Sequence, residues 1–261
     1  MPKLSATIVA YNNYSDIQAA LASIEKHTDK SVSKKIYIVD NGASVSNEME
    51  RRKFIRFVNQ FDDAEYINAH RNLGFGKGHN YVLPFIDSTY HAIINPDILL
   101  EHDALKAITD YLDKNPDVGM CIPNITDQSG ERLSVYREEL TVFDMFVRMF
   151  CKGLFKKRQA RHTMQYQNYS EPFQVPFGQG SFLVIRTDLL KELNGFDDRF
   201  FMYLEDADLC KRVNQKSKLM YLPDATVIHK WEQGSHKDKT LFKYHLQSMR
   251  YYFKKWGIKI R

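Results

Sequence analysis

Five short apolar runs in the first 123 residues alternate with segments of helical spacing, and this alternation constrains the fold more than any other feature of the chain. "LSATIVAY" (4–11), "KKIYIVD" (34–40), "AEYINAH" (64–70), "YHAIIN" (90–95) and "VGMCIP" (118–123) read as strands. Between them, "SDIQAALASIEKH" (15–27) sets Ile17, Leu21 and Ile24 in line, with Ser15 and Gln18 placed as a capping box. Residues 47–60 look helical. The glycine-rich "NLGFGKGHN" (72–80) opens a short helix that Pro84 limits. "HDALKAITDYLDKN" (102–115) aligns Ala104, Ile108 and Leu112 and stops before Pro116. Strands alternating with helices need crossovers, so an α/β fold with a mainly parallel sheet is expected. Ligands in such sheets bind at the strands' C-terminal edge. Polar residues gather there in this chain: Asn12 and Asn13, Asp40 and Asn41 of the "NGAS" turn, Asn95 and Asp97.

The second half is less regular. "TDQSGERLSV" (126–135) reads as a hairpin. Residues 141–170 read as a basic helical segment followed by a polar stretch expected to be mobile. "FQVPFGQGSFLVIR" (173–186) suggests two short strands around a glycine loop. "TDLLKELNGFD" (187–197) is a short helix stopped by Asn194-Gly195. "EDADLCKRVNQ" (205–215) is a helix opening with acids, and "KLMYLPDATVIHKW" (218–231) gives two short strands. The last 25 residues look helical. No stretch between the halves reads as a linker, so one continuous domain over 1–230, with a basic helical extension at 231–261, is expected.

Net charge is +5, unevenly spread. Residues 141–165 carry six Lys/Arg against one Asp, and 229–261 carry nine against two acids, so the remainder is acidic. Both basic segments interleave Phe, Tyr or Trp. That suits an anionic membrane surface better than a nucleic acid; a solvated helix face with an aromatic inner stripe is the plainer alternative. Three scattered cysteines with no CxxC pair argue against a disulfide framework and for a reducing cytosol. No signal peptide is visible, and no run of about 18 apolar residues suggests a transmembrane helix.

Several residues carry chemistry, each with a plainer reading beside it. Asp40 precedes Asn41-Gly42, which turn chemistry alone explains; its strand-edge position equally suits a base- or ribose-binding role. "GFGKGHN" fits a dinucleotide fingerprint poorly, coming about seventy residues into the chain and not after the first strand, but it lets backbone approach a ligand and Lys77 face phosphate. Pro96 ends its strand, leaving Asp97 as a turn residue or a metal ligand. Glu205, Asp206 and Asp208 either complement a helix dipole or supply a general base among aromatics. His229, ending a strand-like run, is by itself an ordinary hydrogen-bonded histidine.

Taken in order, "TIVAYNN" (7–13), "IYIVDNGAS" (36–44), "NLGFGKGHN", "IINPD" (93–97), "GQGSFLVIR" (178–186), "GFDDRFFMYLEDADLCKR" (195–212) and "VIH" (227–229) resemble a family 2 glycosyltransferase of the GT-A fold. The resemblance spans residues 4–230. "NPD" with "EDADLCKR" is most similar to the bacterial rhamnosyltransferase branch that builds cell-surface polysaccharides. It implies a single Rossmann-like, mainly parallel sheet flanked by helices, with a nucleotide-binding part over about 1–123 and an acceptor part over about 124–230. Ala10, Tyr11 and Asn12, with Asp40 and Asn41, would hold the base and ribose. Asn95 and Asp97 occupy the first and last positions of the metal motif, and His229 would complete the site for Mg2+ or Mn2+. Gln179 and Gly180 would line the donor-sugar pocket. Asp206 matches the catalytic base, with Glu205 beside it.

The implied reaction is an inverting transfer, foremost of L-rhamnose from dTDP-L-rhamnose, with UDP-hexose or UDP-furanose donors as alternatives. The implied acceptor is a lipid-linked saccharide, met by a cytoplasmic protein peripheral on the inner face of the plasma membrane. An NAD-dependent oxidoreductase is disfavoured by the missing first-turn fingerprint. A non-catalytic binder is disfavoured by Asp97, Asp206 and His229 standing together. One departure matters: Asn95 replaces an acid, so metal affinity without nucleotide should be weak.

Overall fold

Strand order explains how the polar strand ends meet. The computed structural model describes residues 1–42, 48–150, 153–230 and 239–259. Ala43 and Ser44 of the "NGAS" turn, Cys151 and residues 231–238 of the C-terminal extension lie outside the described residues. The first half runs β1 (Leu4–Ala10), α1 (Tyr14–His27), β2 (Lys34–Asp40), α2 (Glu48–Val58), β3 (Ala64–Asn68), α3 (Phe75–Asn80), β4 (Tyr90–Ile94), β5 (Ile98–Leu100), α4 (Ala104–Lys114) and β6 (Val118–Thr126). The second runs β7 (Tyr136–Arg137), α5 (Val142–Phe150), α6 (Lys156–His162), β8 (Phe173–Gln174), β9 (Phe177–Gly178), β10 (Phe182–Arg186), α7 (Thr187–Glu192), α8 (Glu205–Lys216), β11 (Lys218–His229) and α9 (Lys239–Trp256).

The main sheet is ordered β3-β2-β1-β4-β10-β6-β11-β5, with β8 added on β11. β3, β2, β1 and β4 are parallel. β10 runs antiparallel to both β4 and β6, and β6 is parallel to β11. The C-terminal ends of β1, β2, β4 and β11 therefore share an edge with the N-terminal end of β10. This is a mixed α/β architecture with a mostly parallel central sheet, as the alternation of signals predicts. Its core is aliphatic: Ile8, Ile38, Ile93 and Ile94 from the sheet, Ile17, Leu21 and Ile24 from α1, all inaccessible to solvent.

Three local expectations change, and one short strand went unanticipated. Residues 218–231 do not split into two strands: β11 is one strand with an irregularity between Leu222 and Thr226, where Pro223 removes a ladder donor. Residues 126–135 make only a turn closed by a single Thr126–Arg132 bridge, and β7 pairs instead with β9. Residues 173–186 hold three strands, since Pro176 separates β8 from β9. β5 follows Pro96 at once and pairs antiparallel with β11, Ile98 opposite His229.

Two basic aromatic segments have both faces defined. α5 buries Met145 and Val147 but exposes Phe146, and Leu154 and Phe155 are exposed beside Lys156 and Lys157. α9 buries Ser248, Tyr252 and Phe253 and exposes Phe242 and Leu246 with Lys243, Arg250 and Lys254. Among the described residues, no helix is long and apolar enough to cross a membrane.

A histidine cross-links the two central strands. His91 is buried between Ser5 Oγ, 2.7 Å from Nδ1, and Thr7 Oγ1, 3.0 Å from Nε2; Ser88 Oγ lies 2.7 Å from Ser5 Oγ. Burial pushes the imidazoles of His91 and His79 down to about 3 from 6.5. The unfolded chain thus binds these protons first, so stability falls as pH drops below 6.5. Each histidine contributes a slope of about 1.4 kcal/mol per pH unit. Urea unfolding at pH 7.5 and pH 5 should show this loss, and His91→Gln should reduce it by about 2 kcal/mol.

Candidate active site

The first site element is the turn after β1. The Ala10 carbonyl accepts from the Asn41 N–H at 2.9 Å, and the chain reverses through Asn12 at φ +59°. Tyr11 is left 57% exposed and its N–H donates to Asn13 Oδ1. At the end of β2 the Asp40 carboxylate is fully buried. It accepts from Tyr14 Oη at 2.8 Å, Tyr66 Oη at 2.6 Å and the Gly42 N–H at 2.8 Å. Burial, then these bonds to Asp40, push both phenols up. Asn41 Nδ2 donates to the Gly74 carbonyl at 2.8 Å.

The glycines of residues 72–80 pack against protein. A Cβ on Gly74, at φ +80°, would sit 2.1 Å from the Phe201 carbonyl oxygen. One on Gly78 would sit 2.9 Å from Val9. Their spacing lets α3 press onto β1 and onto the segment before α8. Lys77 is exposed and lines neither cavity described below.

A cavity of about 720 Å³ opens over this edge, lined by Tyr11, Asn41, Asn72, Asn95 and Asp97, with Tyr244 of α9 on its far wall. Asp97 and His229 meet here, Oδ2 to Nε2 at 3.1 Å, and the Lys230 N–H donates to the Asp97 carbonyl. Pairing of β5 with β11 creates this contact. The Asn95 N–H donates to the Ser181 carbonyl, while its buried Oδ1 has no hydrogen-bond partner among the described residues. No group of three or more His, Cys, Asp or Glu suited to a metal occurs among the described residues. Asp97, His229 and the Asn95 amide oxygen therefore fit a hard divalent cation only when a bound anionic ligand supplies further oxygens.

Asn95, Phe75 and Met202 also line a second cavity, of about 270 Å³, which holds Gln179, Gly180, Glu205 and Asp206. The acids are set by a sharp entry into α8: Tyr203 and Leu204 both take positive φ, +71° and +66°. Such backbone is strained for non-glycine residues and persists where the surroundings fix it. α9 helps to fix it. Asp208, fully buried, accepts from Trp256 Nε1 at 2.8 Å and pairs with Arg212 and Lys255, while Ser248 Oγ donates to the Met202 carbonyl at 2.7 Å.

Asp206 and Glu205 differ in surroundings. Asp206 Oδ2 accepts from the Gly180 N–H at 3.0 Å and Oδ1 from the Ala207 N–H at 2.8 Å. A Cβ on Gly180 would meet that of Asp206 at 2.9 Å, so only glycine allows this approach. Asp206 keeps some access to the cavity, yet surrounding protein desolvates its carboxyl and pushes it up; the two N–H groups and the charges of Arg137 and Arg148 oppose the rise. Glu205 is buried, with no partner for Oε2. Burial, then the charge of Asp206, push it well above the carboxylate range. Burial therefore favours the neutral form of Glu205, while the two N–H groups and the arginines favour the charged form of Asp206.

The structure brings Tyr11, Asn41, Asn95 and Asp97 together around one cavity and Asn95, Gln179, Gly180, Glu205 and Asp206 around the other, with His229 against Asp97. Ala10 and Asp40 are buried and line neither cavity, and Asn12 is exposed outside both. Arg137, Arg148 and His162, which no sequence pattern singled out, line the second cavity. Their neighbours in sequence carry no catalytic motif; the β7–β9 pairing places Arg137 at the cavity, α5 places Arg148 and α6 places His162.

The profile described as Glycosyl transferase family 2 matches residues 5–193. The N-acetylglucosaminyl-diphospho-decaprenol L-rhamnosyltransferase of Mycobacterium tuberculosis is 26% identical in an alignment of 250 residues that covers 90% of this chain and 78% of the relative. Rhamnosyltransferase WbbL of Escherichia coli is 27% identical over 187 residues, 67% of this chain and 68% of the relative. Among solved structures, GalNAc-T7 with UDP, GalNAc and Mn2+ superposes with TM-score 0.69 at 14% identity, over 96% of this chain and 48% of that one. The mannosyltransferase PcManGT of Pyrobaculum calidifontis, with GDP-Man and Mn2+, gives 0.66 at 16% identity, over 97% and 64%. The fold is that of the GT-A glycosyltransferases. The chain belongs to glycosyl transferase family 2 and is a glycosyltransferase, beside bacterial rhamnosyltransferases in sequence.

Proposed function

We propose that this protein transfers L-rhamnose from dTDP-L-rhamnose to a hydroxyl of a lipid-linked saccharide, with inversion at the anomeric carbon. The observation that carries the reading is the meeting of two cavities at Asn95: one bordered by Asp97 and His229, the other holding Asp206. The names of the mycobacterial and E. coli relatives support rhamnose as the sugar, and that of the former supports a diphosphate-linked lipid acceptor.

In this reading the larger cavity takes the nucleoside diphosphate. Tyr11 and Asn41 face the nucleotide, and Asp40 acts from behind by fixing Tyr14, Tyr66 and the Gly42 turn. Asp97, Asn95 and His229 would hold Mg2+ or Mn2+, which when bound offsets the charge growing on the leaving diphosphate. The sugar projects past Asn95 toward Gln179 and Gly180. Asp206, aimed by the Gly180 N–H, takes the proton as the acceptor oxygen attacks the anomeric carbon, and the C–O bond to the diphosphate breaks. Burial of Glu205 disfavours a second negative charge beside the reacting atoms. The nucleotide-binding part is residues 1–123 and the acceptor part 124–230. The protein works in the cytoplasm, peripheral on the inner face of the plasma membrane, docked by the exposed aromatic and basic residues around α5, α6 and α9.

The test of the donor assignment is a panel of dTDP- and UDP-sugars read by thermal shift and nucleotide release, with and without Mg2+ or Mn2+. The largest shift is expected with dTDP-L-rhamnose plus metal, and calorimetry should find weak metal binding without donor; a UDP-hexose outperforming it would replace the donor, and tight metal binding alone would refute the role given to Asn95. Asp206→Asn should cut turnover about 10²- to 10⁴-fold while keeping donor binding; unchanged turnover would remove Asp206 as the base. The protein should sediment with anionic liposomes at low salt and less so as salt rises, and failure to bind at physiological salt would count against docking.

A further inference from the structure

The second cavity holds more positive charge than the protein itself uses. Three carboxylates line it: Glu205, Asp206 and Asp144. Burial favours the neutral form of Glu205. Asp144 is occupied by Arg158, whose Nε and Nη2 lie 2.5 and 3.0 Å from its two oxygens, and by Thr141 Oγ1 at 2.6 Å. That leaves Asp206 facing two guanidinium groups, Arg137 and Arg148, and neither makes an ion pair within 4 Å among the described residues. Arg137 is only 5% exposed, packed over Phe177 at 5.3 Å, and its Nε has no hydrogen-bond partner. Burial pulls its pKa down to about 9, so it remains charged at neutral pH. A buried guanidinium without a partner is unfavourable in the empty protein, and arginines are suited to grip phosphate through paired N–H groups.

The location separates this charge from the donor. The arginines line the cavity of Asp206 and not that of Tyr11, Asn41 and Asp97. α5, which carries Arg148 into the cavity, turns Phe146 out to solvent close in sequence to the exposed Leu154 and Phe155. An anionic head group held at the arginines would have an apolar path for its tail.

We propose that Arg137 and Arg148 form a subsite for the phosphate oxygens of the acceptor, a saccharide joined through diphosphate to a lipid. This rests on the lipid-linked acceptor of the proposed function and adds what recognises it. The arginines hold the diphosphate so that the sugar hydroxyl reaches Asp206, and the protein favours such acceptors over uncharged glycosides.

Two measurements test the subsite. In the first, inorganic pyrophosphate is titrated calorimetrically into the full chain saturated with dTDP and Mg2+, which keeps the probe off the donor cavity. Wild type should bind; Arg148→Gln and Arg137→Lys should each weaken binding about tenfold or more. This arm needs no sugar transfer, so it stands even if the rhamnosyl reading fails. In the second, the sugar is offered as an N-acetylglucosaminyl diphosphate on a short prenyl chain and as an alkyl glycoside. The ratio of the two kcat/KM values should fall about 10- to 100-fold in Arg148→Gln. Because Arg148 lies at a solvent-accessible position, that variant should fold even if Arg137 variants do not. Equal loss on both acceptors would assign the arginines to Asp206 alone and overturn the proposal. So would a change confined to the donor KM, pyrophosphate binding unaltered in both variants, or displacement of pyrophosphate by phosphatidylglycerol vesicles, which would make the occupant bulk membrane.

Discussion

β10 runs against its neighbours, pairing Phe182 with Ile94 of β4 and Ile185 with Met120 of β6, and this ladder positions everything around the site. A parallel strand there would deliver its C-terminal end to the cavity edge. The reversed one delivers its entry instead: Gln179, Gly180 and Ser181. From that entry the Gly180 N–H reaches Asp206, and the Ser181 carbonyl takes the Asn95 N–H. One strand thus ties the loop that carries Asp97 to the helix that carries Asp206. The Asn95–Ser181 contact is backbone to backbone, and the Gly180 N–H fixes the rotamer of the Asp206 carboxylate.

The carboxylates of residues 197–208 show how burial divides labour among chemically similar groups. Asp197 and Asp208 are structural. Arg199 and Lys255, with a bond from Tyr251, hold Asp197 far below the carboxylate range against the opposing effect of burial. Asp208 joins α8 to α9 through Arg212, Lys255 and Trp256. Burial pushes Glu205 well up, with no ion pair to it among the described residues, and Asp206 is steadied by two N–H groups and distant arginines. Removing one partner from a buried charge network is costly, so α9 is bound to the geometry of the acidic pair and not merely appended to it.

Much of the fold was readable because its signals are local. The parallel strands β1, β2 and β4 are short β-branched runs, and α1 and α4 have unmistakable helical spacing. The acids opening α8 and the polar ends of the strands were equally visible. Other features were not. Asp40 looks like a ligand-facing residue in sequence, but its carboxylate is taken up by Tyr14 of α1 and Tyr66 of β3, each 26 residues away. The glycines of residues 72–80 look like a phosphate cradle, yet Gly74 is required by Phe201, more than a hundred residues away. Pro223 reads as a strand break and proves to be a bulge, because β6 continues to pair on either side of it.

The sequence by itself determined the element types, the polar groups at the strand ends and the family to which the chain belongs, since periodicity and ordered motifs are properties of neighbouring residues. Tertiary structure alone decided which of those groups meet. Asp97 reaches His229 only because β5 turns back along β11, and Arg137 reaches the cavity of Asp206 only because a two-residue strand pairs with Phe177 and Gly178. The physical reason is the same in both cases. Strand direction and partner are set by hydrogen bonds between segments far apart in the chain, and no local spacing encodes them.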